Sequence, residues 1–70
     1  MTATEHRPAS VILRLTQVMA RTGLARSTLY ERIKDGAFPA QISLGARAVG
    51  WLESDIEAWI ARQVDISRAR

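Results

Sequence analysis

The chain has 70 residues, 47% of them hydrophobic, which predicts one small globular domain rather than a disordered segment. It lacks cysteine, and no apolar run approaches the roughly 20 residues of a membrane span, so a soluble cytoplasmic protein without disulfides or membrane contacts is expected. The formal net charge is +3, and nine of the ten basic residues are arginine, the side chain suited to forked hydrogen bonds with phosphates and bases.

The chain begins with a polar segment and a short apolar one. Residues 1–10 lack any periodicity, which predicts a disordered arm. The apolar run Val11–Leu15 fits either a strand or the entry to a helix. Thr16 has the side chain of an N-cap, so a short first helix is predicted over Gln17–Thr22. Gly23 then ends this helix, because glycine accepts a left-handed backbone.

A second helix is predicted over Arg26–Asp35. Leu29 and Ile33 lie four residues apart, which places both on one apolar stripe facing the core. Gly36 supplies the stop. Two short helices joined by a glycine-containing turn are typical of a helix-turn-helix.

A β-hairpin is predicted after Pro39, which cannot continue a helix. The segments Gln41–Leu44 and Ala48–Trp51 alternate apolar and less apolar residues, as the strands of a half-buried hairpin do. Gly45–Arg47 forms the turn between them. This hairpin would be a small wing. Its expected half-buried residues are Ile42, Leu44, Val49 and Trp51.

The last predicted helix covers Glu53–Val64 and is strongly amphipathic. Its acidic residues cluster at the start, where they interact favourably with the helix dipole. One face carries Leu52, Ile56, Trp59, Ile60 and Val64. The spacing favours core packing of Trp51 and Trp59 over base stacking. The fold is therefore mainly α with a small β-hairpin wing, a winged helix-turn-helix of three helices. It occupies residues 11–66, and a basic tail follows over 67–70.

Catalytic and metal-binding patterns are missing from the sequence. The single histidine, His6, lies in the predicted arm. Asp55 and Glu57 are two residues apart and do not share a helix face. No histidine, cysteine or acidic cluster has the spacing of metal ligands. We therefore expect a protein that is not an enzyme and uses no cofactor, metal or small-molecule substrate.

The outward side of the second helix carries the candidate DNA contacts. If Leu29 and Ile33 face the core, the first turn, with Arg26, Ser27 and Thr28, is free to enter the major groove. Arginine can donate two hydrogen bonds to guanine, and a hydroxyl can donate or accept. The alternative is an ordinary solvated helix face.

Further candidates flank this turn. Arg32 and Lys34 would contact the DNA backbone and add affinity without sequence information. Tyr30 would contact a phosphate or sugar, or instead cap the edge of the core. Arg47, at the tip of the wing, would lie along phosphates or in the minor groove, unless it serves only solubility. Glu31 is expected to pair with a basic neighbour.

Several short motifs occur in a fixed order between Leu15 and Val64. They are Leu15-Thr16, Gly23-Leu24, Ser27-Thr28-Leu29-Tyr30, Gly36-Ala37-Phe38-Pro39, Leu44-Gly45, Arg47-Ala48-Val49-Gly50-Trp51 and Ile56-Glu57-Ala58-Trp59-Ile60. Together they resemble the AlpA family of phage-type regulators, relatives of excisionase and MerR-type winged DNA-binding domains.

The resemblance implies three helices with a hairpin wing, and transcriptional control of mobile-element genes such as an integrase gene. It assigns recognition to the segment Arg26–Lys34 and places Arg47 in the wing. Two positions depart from the family pattern. Ala25 stands where serine, threonine or asparagine usually caps the second helix, which weakens that cap by ~1 kcal/mol. Leu52 replaces a polar or basic residue and is expected to extend the core.

The predicted function is sequence-specific duplex DNA binding by a transcriptional regulator of prophage or mobile-element genes. One such module makes a small interface, so a homodimer or cooperative neighbours on the DNA are expected. An excisionase-type recombination directionality factor shares the same physics and is the nearest alternative. A small protein-interaction or antitoxin-like module is a further alternative, which the arginine placement disfavours.

Overall fold

The computed structural model describes residues 11–69 and contains three helices and three short strands. In chain order they are β1 (Ile12–Leu13), α1 (Leu15–Thr22), α2 (Arg26–Lys34), β2 (Ile42–Ser43), β3 (Val49–Leu52) and α3 (Glu53–Arg68). The predicted arm over residues 1–10 and the final residue of the predicted tail lie outside the described residues. The architecture is the predicted winged helix-turn-helix.

Helix α1 begins two residues before its predicted start. Arg14, and not Thr16, occupies the N-cap position. The backbone N–H of Arg14 donates to the side-chain oxygen of Gln17 over 2.8 Å, which is one half of a capping box. The backbone N–H of Gln17, which a hydroxyl cap could bind, donates to the carbonyl of Arg14 over 3.0 Å, so the helix starts without a hydroxyl cap. It ends as predicted at Gly23, which has a φ of 75° and donates to the carbonyl of Met19.

Helix α2 begins at Arg26 as predicted, after Ala25, which provides no side-chain cap. Its C-terminal end is a Schellman motif: Gly36 donates to the carbonyl of Ile33, and Ala37 donates to the carbonyl of Arg32 over 2.8 Å. Gly36 has a φ of 76°, a conformation that other residues rarely adopt. The backbone therefore turns sharply away from α2 towards the wing.

The three strands form one antiparallel sheet in the order β1-β3-β2. Within the apolar run Val11–Leu15, Ile12 and Leu13 thus form a strand. Leu13 pairs with Trp51 across the sheet. This pairing joins the start of the chain to the base of the wing. It places Arg14, the next residue, beside the wing.

The wing pairs as the predicted turn Gly45–Arg47 requires, but its apolar residues do not all face the core. Ile42 pairs with Gly50, so Ile42 and Leu44 lie on the outer face of the sheet, whereas Val49 and Trp51 face the core. Ile42 and Leu44 are 40% and 41% exposed, and their predicted burial is wrong. Both strands alternate, but alternation alone does not decide which residues of the two strands share a face. Gly50 leaves room for Ile12 and Leu44 on this face, because a Cβ there would lie 2.6 Å from Ile12 Cγ2 and 3.0 Å from Leu44 Cδ1.

The core lies between the helices and the inner face of the sheet. Both indoles are buried as predicted and donate hydrogen bonds to the segment after α2. Trp51 Nε1 donates to the carbonyl of Pro39 over 3.0 Å, and Trp59 Nε1 donates to that of Ala37 over 2.8 Å. They therefore fix the path from α2 into the wing and leave no indole free for base stacking. The buried hydrophobic residues are Leu13, Val18, Leu29, Phe38, Trp51, Ile56 and Trp59.

Helix α3 continues to Arg68, four residues beyond its predicted end at Val64. It therefore includes the first part of the predicted basic tail. Val64 is 39% exposed and Ile66 is 54% exposed, so the expected burial of Val64 is wrong. The last turns of α3 thus present apolar side chains to solvent. Within residues 11–69, no helix is long and apolar enough to cross a membrane.

Candidate nucleic-acid interface

The outward face of α2 is free because its inward side chains hold the helix to the core. Leu29 is fully buried, and Ile33 packs against the buried cluster. On the other side Arg26 and Ser27 are exposed, while Thr28 is half-buried. A helix held on one side by apolar contacts, with a polar first turn in solvent, has the geometry needed to enter a major groove.

A cleft of about 350 Å³ lies between the first turns of α1 and α2 and the wing. It brings together three predicted site residues: Arg26 and Tyr30 of α2, and Arg47 of the wing. Arg14 joins them, so three guanidinium groups line one depression. The other lining residues are Leu15, Thr16 and Val49.

Arg14 is the residue that the sequence prediction missed. Its Nε donates to the backbone carbonyl of Val49, the first residue of β3, over 3.1 Å. The side chain is otherwise exposed, and it spans from the start of α1 to the wing. The sequence signal that could have identified Arg14 is the presence of a charged residue inside the apolar run Val11–Leu15. Its place beside the wing depends on the pairing of β1 with β3, which local patterns do not reveal.

Tyr30 caps the edge of the core, which is one of the two roles that the sequence left open. Its ring centroid lies 6.5 Å from that of Trp51, with the planes tilted by 58°, so the ring packs on the edge of the core. The Tyr30 ring is therefore held by the core, while the side chain also lines the cleft together with Arg26.

The remaining candidates lie outside the cleft. Ser27 and Thr28 lie in the first turn of α2, and Arg32 and Lys34 are exposed towards its other end. Glu31 is also exposed, and its expected ion pair with a basic neighbour does not occur within residues 11–69. The whole solvent side of α2 thus consists of polar and charged side chains.

The ion pairs of the described chain lie away from the cleft. Arg21, near the end of α1, contacts the carboxylates of Glu53 and Glu57 at 2.8 and 2.9 Å. These contacts tie α1 to the start of α3. Within residues 11–69, the three arginines of the cleft have no carboxylate partner of this kind. The cleft is therefore a focus of positive potential that favours an anionic ligand.

A second cleft and a metal-binding site are weaker candidates. The second cleft, of about 440 Å³, is lined by Gly36–Pro39, Trp59, Arg62 and Gln63, so only one cationic residue of the described chain lines it. Over residues 11–69, histidine, cysteine and acidic side chains form no group of three that could hold a metal ion. The cleft with three arginines is therefore the best candidate site.

Comparison with known proteins places the chain among phage regulators. The family model of the prophage CP4-57 regulatory protein, AlpA, matches residues 11–64. The DNA-binding transcriptional activator AlpA of Escherichia coli K12 is 38% identical over 64 residues, which cover 83% of this chain and 91% of the relative. An uncharacterized protein, ORF88 of enterobacteria phage P4, is 50% identical over 52 residues, 74% of this chain.

The matched region spans 59% of the phage P4 protein, so that relative is considerably longer than the part it shares. The family model describes a regulatory protein, in agreement with the prediction that this chain is not an enzyme. The match to the family model covers both helices of the helix-turn-helix, the wing and most of α3. The chain therefore belongs to the AlpA family of prophage regulatory proteins.

Proposed function

We propose that the protein binds duplex DNA in a sequence-specific manner and regulates the transcription of prophage or mobile-element genes. The observation that carries this proposal is the convergence of Arg14, Arg26 and Arg47 in one cleft beside the exposed first turn of α2. The Escherichia coli relative is named a DNA-binding transcriptional activator, which supports the same role here. Such a regulator acts in the cytoplasm, where bacterial DNA is found.

Helix α2 has the dimensions that groove binding requires. An α-helix with its side chains is about 10–12 Å across, and the major groove, about 12 Å wide, admits it. The nine residues of α2 are roughly 13 Å long, enough for its first turn to reach the base edges. We place its first turn, with Ser27 and Thr28, against the base edges. Arg32 and Lys34 then lie towards the flanking backbone, and Arg47 brings the wing onto the adjacent phosphates or minor groove.

We also propose that two or more copies occupy one DNA site. A single small module buries a limited area on DNA, and paired half-sites supply the affinity that one copy lacks. Near the end of α3, the apolar residues Val64 and Ile66 are 39% and 54% exposed. These side chains are the surface that we expect to lie between neighbouring copies.

Duplex binding is tested by fluorescence anisotropy on three labelled duplexes: the promoter region beside the parent gene, the element's attachment site, and a scrambled sequence. We expect tightest binding to the promoter duplex, with log affinity falling by about 0.9 per neutralised phosphate for each tenfold rise in salt. Sedimentation of the complex should show at least two protein chains per specific site.

The other outcomes are equally informative. Preference for the attachment site over the promoter would identify an excisionase-type factor instead of a transcriptional regulator. Equal affinity for all three duplexes would contradict sequence-specific binding. No binding at about 50 mM salt, where phosphate contacts are strong, would contradict DNA binding altogether and favour a protein partner.

A further inference from the structure

The three arginines of the cleft require a ligand of matching chemistry. Arg14, Arg26 and Arg47 come from the β1–α1 junction, α2 and the wing, and the described residues bring no carboxylate into the cleft they line. Positive charges that lie together in a concave site raise the local electrostatic potential and repel one another. This arrangement becomes favourable when an anion binds among them. Guanidinium groups suit phosphate in particular, because their forked donors match its oxygens.

We infer that this cleft is a phosphate clamp, which holds one backbone phosphodiester of the duplex between α2 and the wing. The inference rests on the proposed function and deepens it, since it assigns Arg14 to the interface. It also gives Arg26 and Arg47 a phosphate partner rather than a base. Sequence discrimination is then left to the neighbouring side chains of α2, Ser27 and Thr28 above all.

Arg14 is positioned before DNA arrives. Its Nε donates to the carbonyl of Val49 over 3.1 Å, which leaves the two terminal nitrogens available for phosphate oxygens. A side chain that is already held loses less conformational entropy when it binds. Val49 is two residues from Arg47, so the same contact also couples the clamp to the base of the wing.

Neutral groups complete the clamp. Thr16 and Tyr30 line the same cleft, and hydroxyl groups of both types are common donors to DNA phosphates. The Tyr30 ring is braced against Trp51, so its hydroxyl is presented from a fixed base. A clamp built on rigid elements sets how deeply α2 sits in the groove. Its contacts fix orientation and affinity, without dependence on base sequence.

The inference is tested with Arg14→Gln and Arg14→Lys, and with Arg62→Gln as the matched control on an exposed arginine of α3. Affinity is measured on the promoter and scrambled duplexes across a salt series. Arg14→Gln should bind both duplexes about tenfold more weakly, with a salt slope smaller by about 1. Arg14→Lys should retain most of the slope, and Arg62→Gln should match wild type. Melting temperatures confirm that all variants fold.

The outcomes separate this inference from the proposed function. If wild type binds duplexes and Arg14→Gln retains its affinity and slope, the clamp is wrong while DNA binding stands. A loss confined to the promoter duplex would also overturn it, because it would indicate base recognition. If no duplex binds, the proposed function fails first. The arginine Nε–H resonances, titrated with inorganic phosphate, then decide whether the cleft takes a free anion, a result that would overturn the assignment to DNA.

Discussion

Replacing Leu29 by alanine is expected to leave much of the protein unfolded at physiological temperature. Leu29 is fully buried and belongs to the cluster that joins α2 to the rest of the core. Removing a buried leucine side chain costs about 2–5 kcal/mol, and the core of a domain this small rarely supplies more than roughly 3–5 kcal/mol. Urea and thermal unfolding followed by circular dichroism would measure the loss.

The matched control for this prediction is Ser27→Ala, two residues away on the exposed side of α2. It should change the free energy of unfolding by less than about 0.5 kcal/mol. Leu29→Met conserves volume and should cost less than about 1.5 kcal/mol. If Leu29→Ala were as stable as Ser27→Ala, Leu29 would not hold α2 to the core, and the outward face of α2 would be wrongly assigned.

The second large effect is expected on DNA affinity. Arg26→Ala should weaken duplex binding by about 10- to 100-fold, because it removes a charge-assisted pair with a phosphate and lowers the potential of the whole cleft. Arg47→Ala should act in the same direction through the wing. Neither side chain is buried, so melting temperatures should stay near wild type. Anisotropy titrations at fixed salt would give the affinity ratios.

Arg68→Ala is the control for these variants. It removes the same charge from the exposed end of α3, far along the chain from the cleft. We expect an affinity change of less than about threefold, since Arg68 does not line the cleft and salt weakens the effect of an exposed charge on a distant ligand. If Arg26→Ala and Arg68→Ala lost affinity equally, net charge would explain binding, and the cleft would have no special role.

Local sequence patterns predicted the three helices and the inward side of α2, although not every helix boundary. Leu29 and Ile33 define the inward side of α2, and Gly23 and Gly36 end the two helices with left-handed backbone, as observed. The spacing around Trp59 likewise predicted its burial. In each case the deciding interaction lies within a few residues along the chain, which is why a local pattern reveals it.

Non-local features could not be predicted in the same way. In the wing, both strands alternate, but the pattern alone does not show that Ile42 lies on the opposite face of the sheet from Val49 and Trp51. The end of α3 was predicted at Val64, the last residue of its apolar stripe. Backbone hydrogen bonds extend the helix to Arg68. Arg14 reaches the candidate site only through the pairing of β1 with β3. Tertiary contacts decided the faces of the wing and the position of Arg14, whereas the extension of α3 rests on its own backbone hydrogen bonds.

The most direct test of the interface is a titration of ¹⁵N-labelled protein with a ~20-bp promoter duplex at about 50 mM salt, where phosphate contacts are strong. We predict amide shift changes concentrated at Arg14–Thr16, Arg26–Thr28 and Ala46–Val49, with little change over Asp65–Arg68 beyond any effect of neighbouring copies. Changes centred on α3, with the first turn of α2 and the wing unaffected, would show that the duplex lies on a different face and would contradict the account.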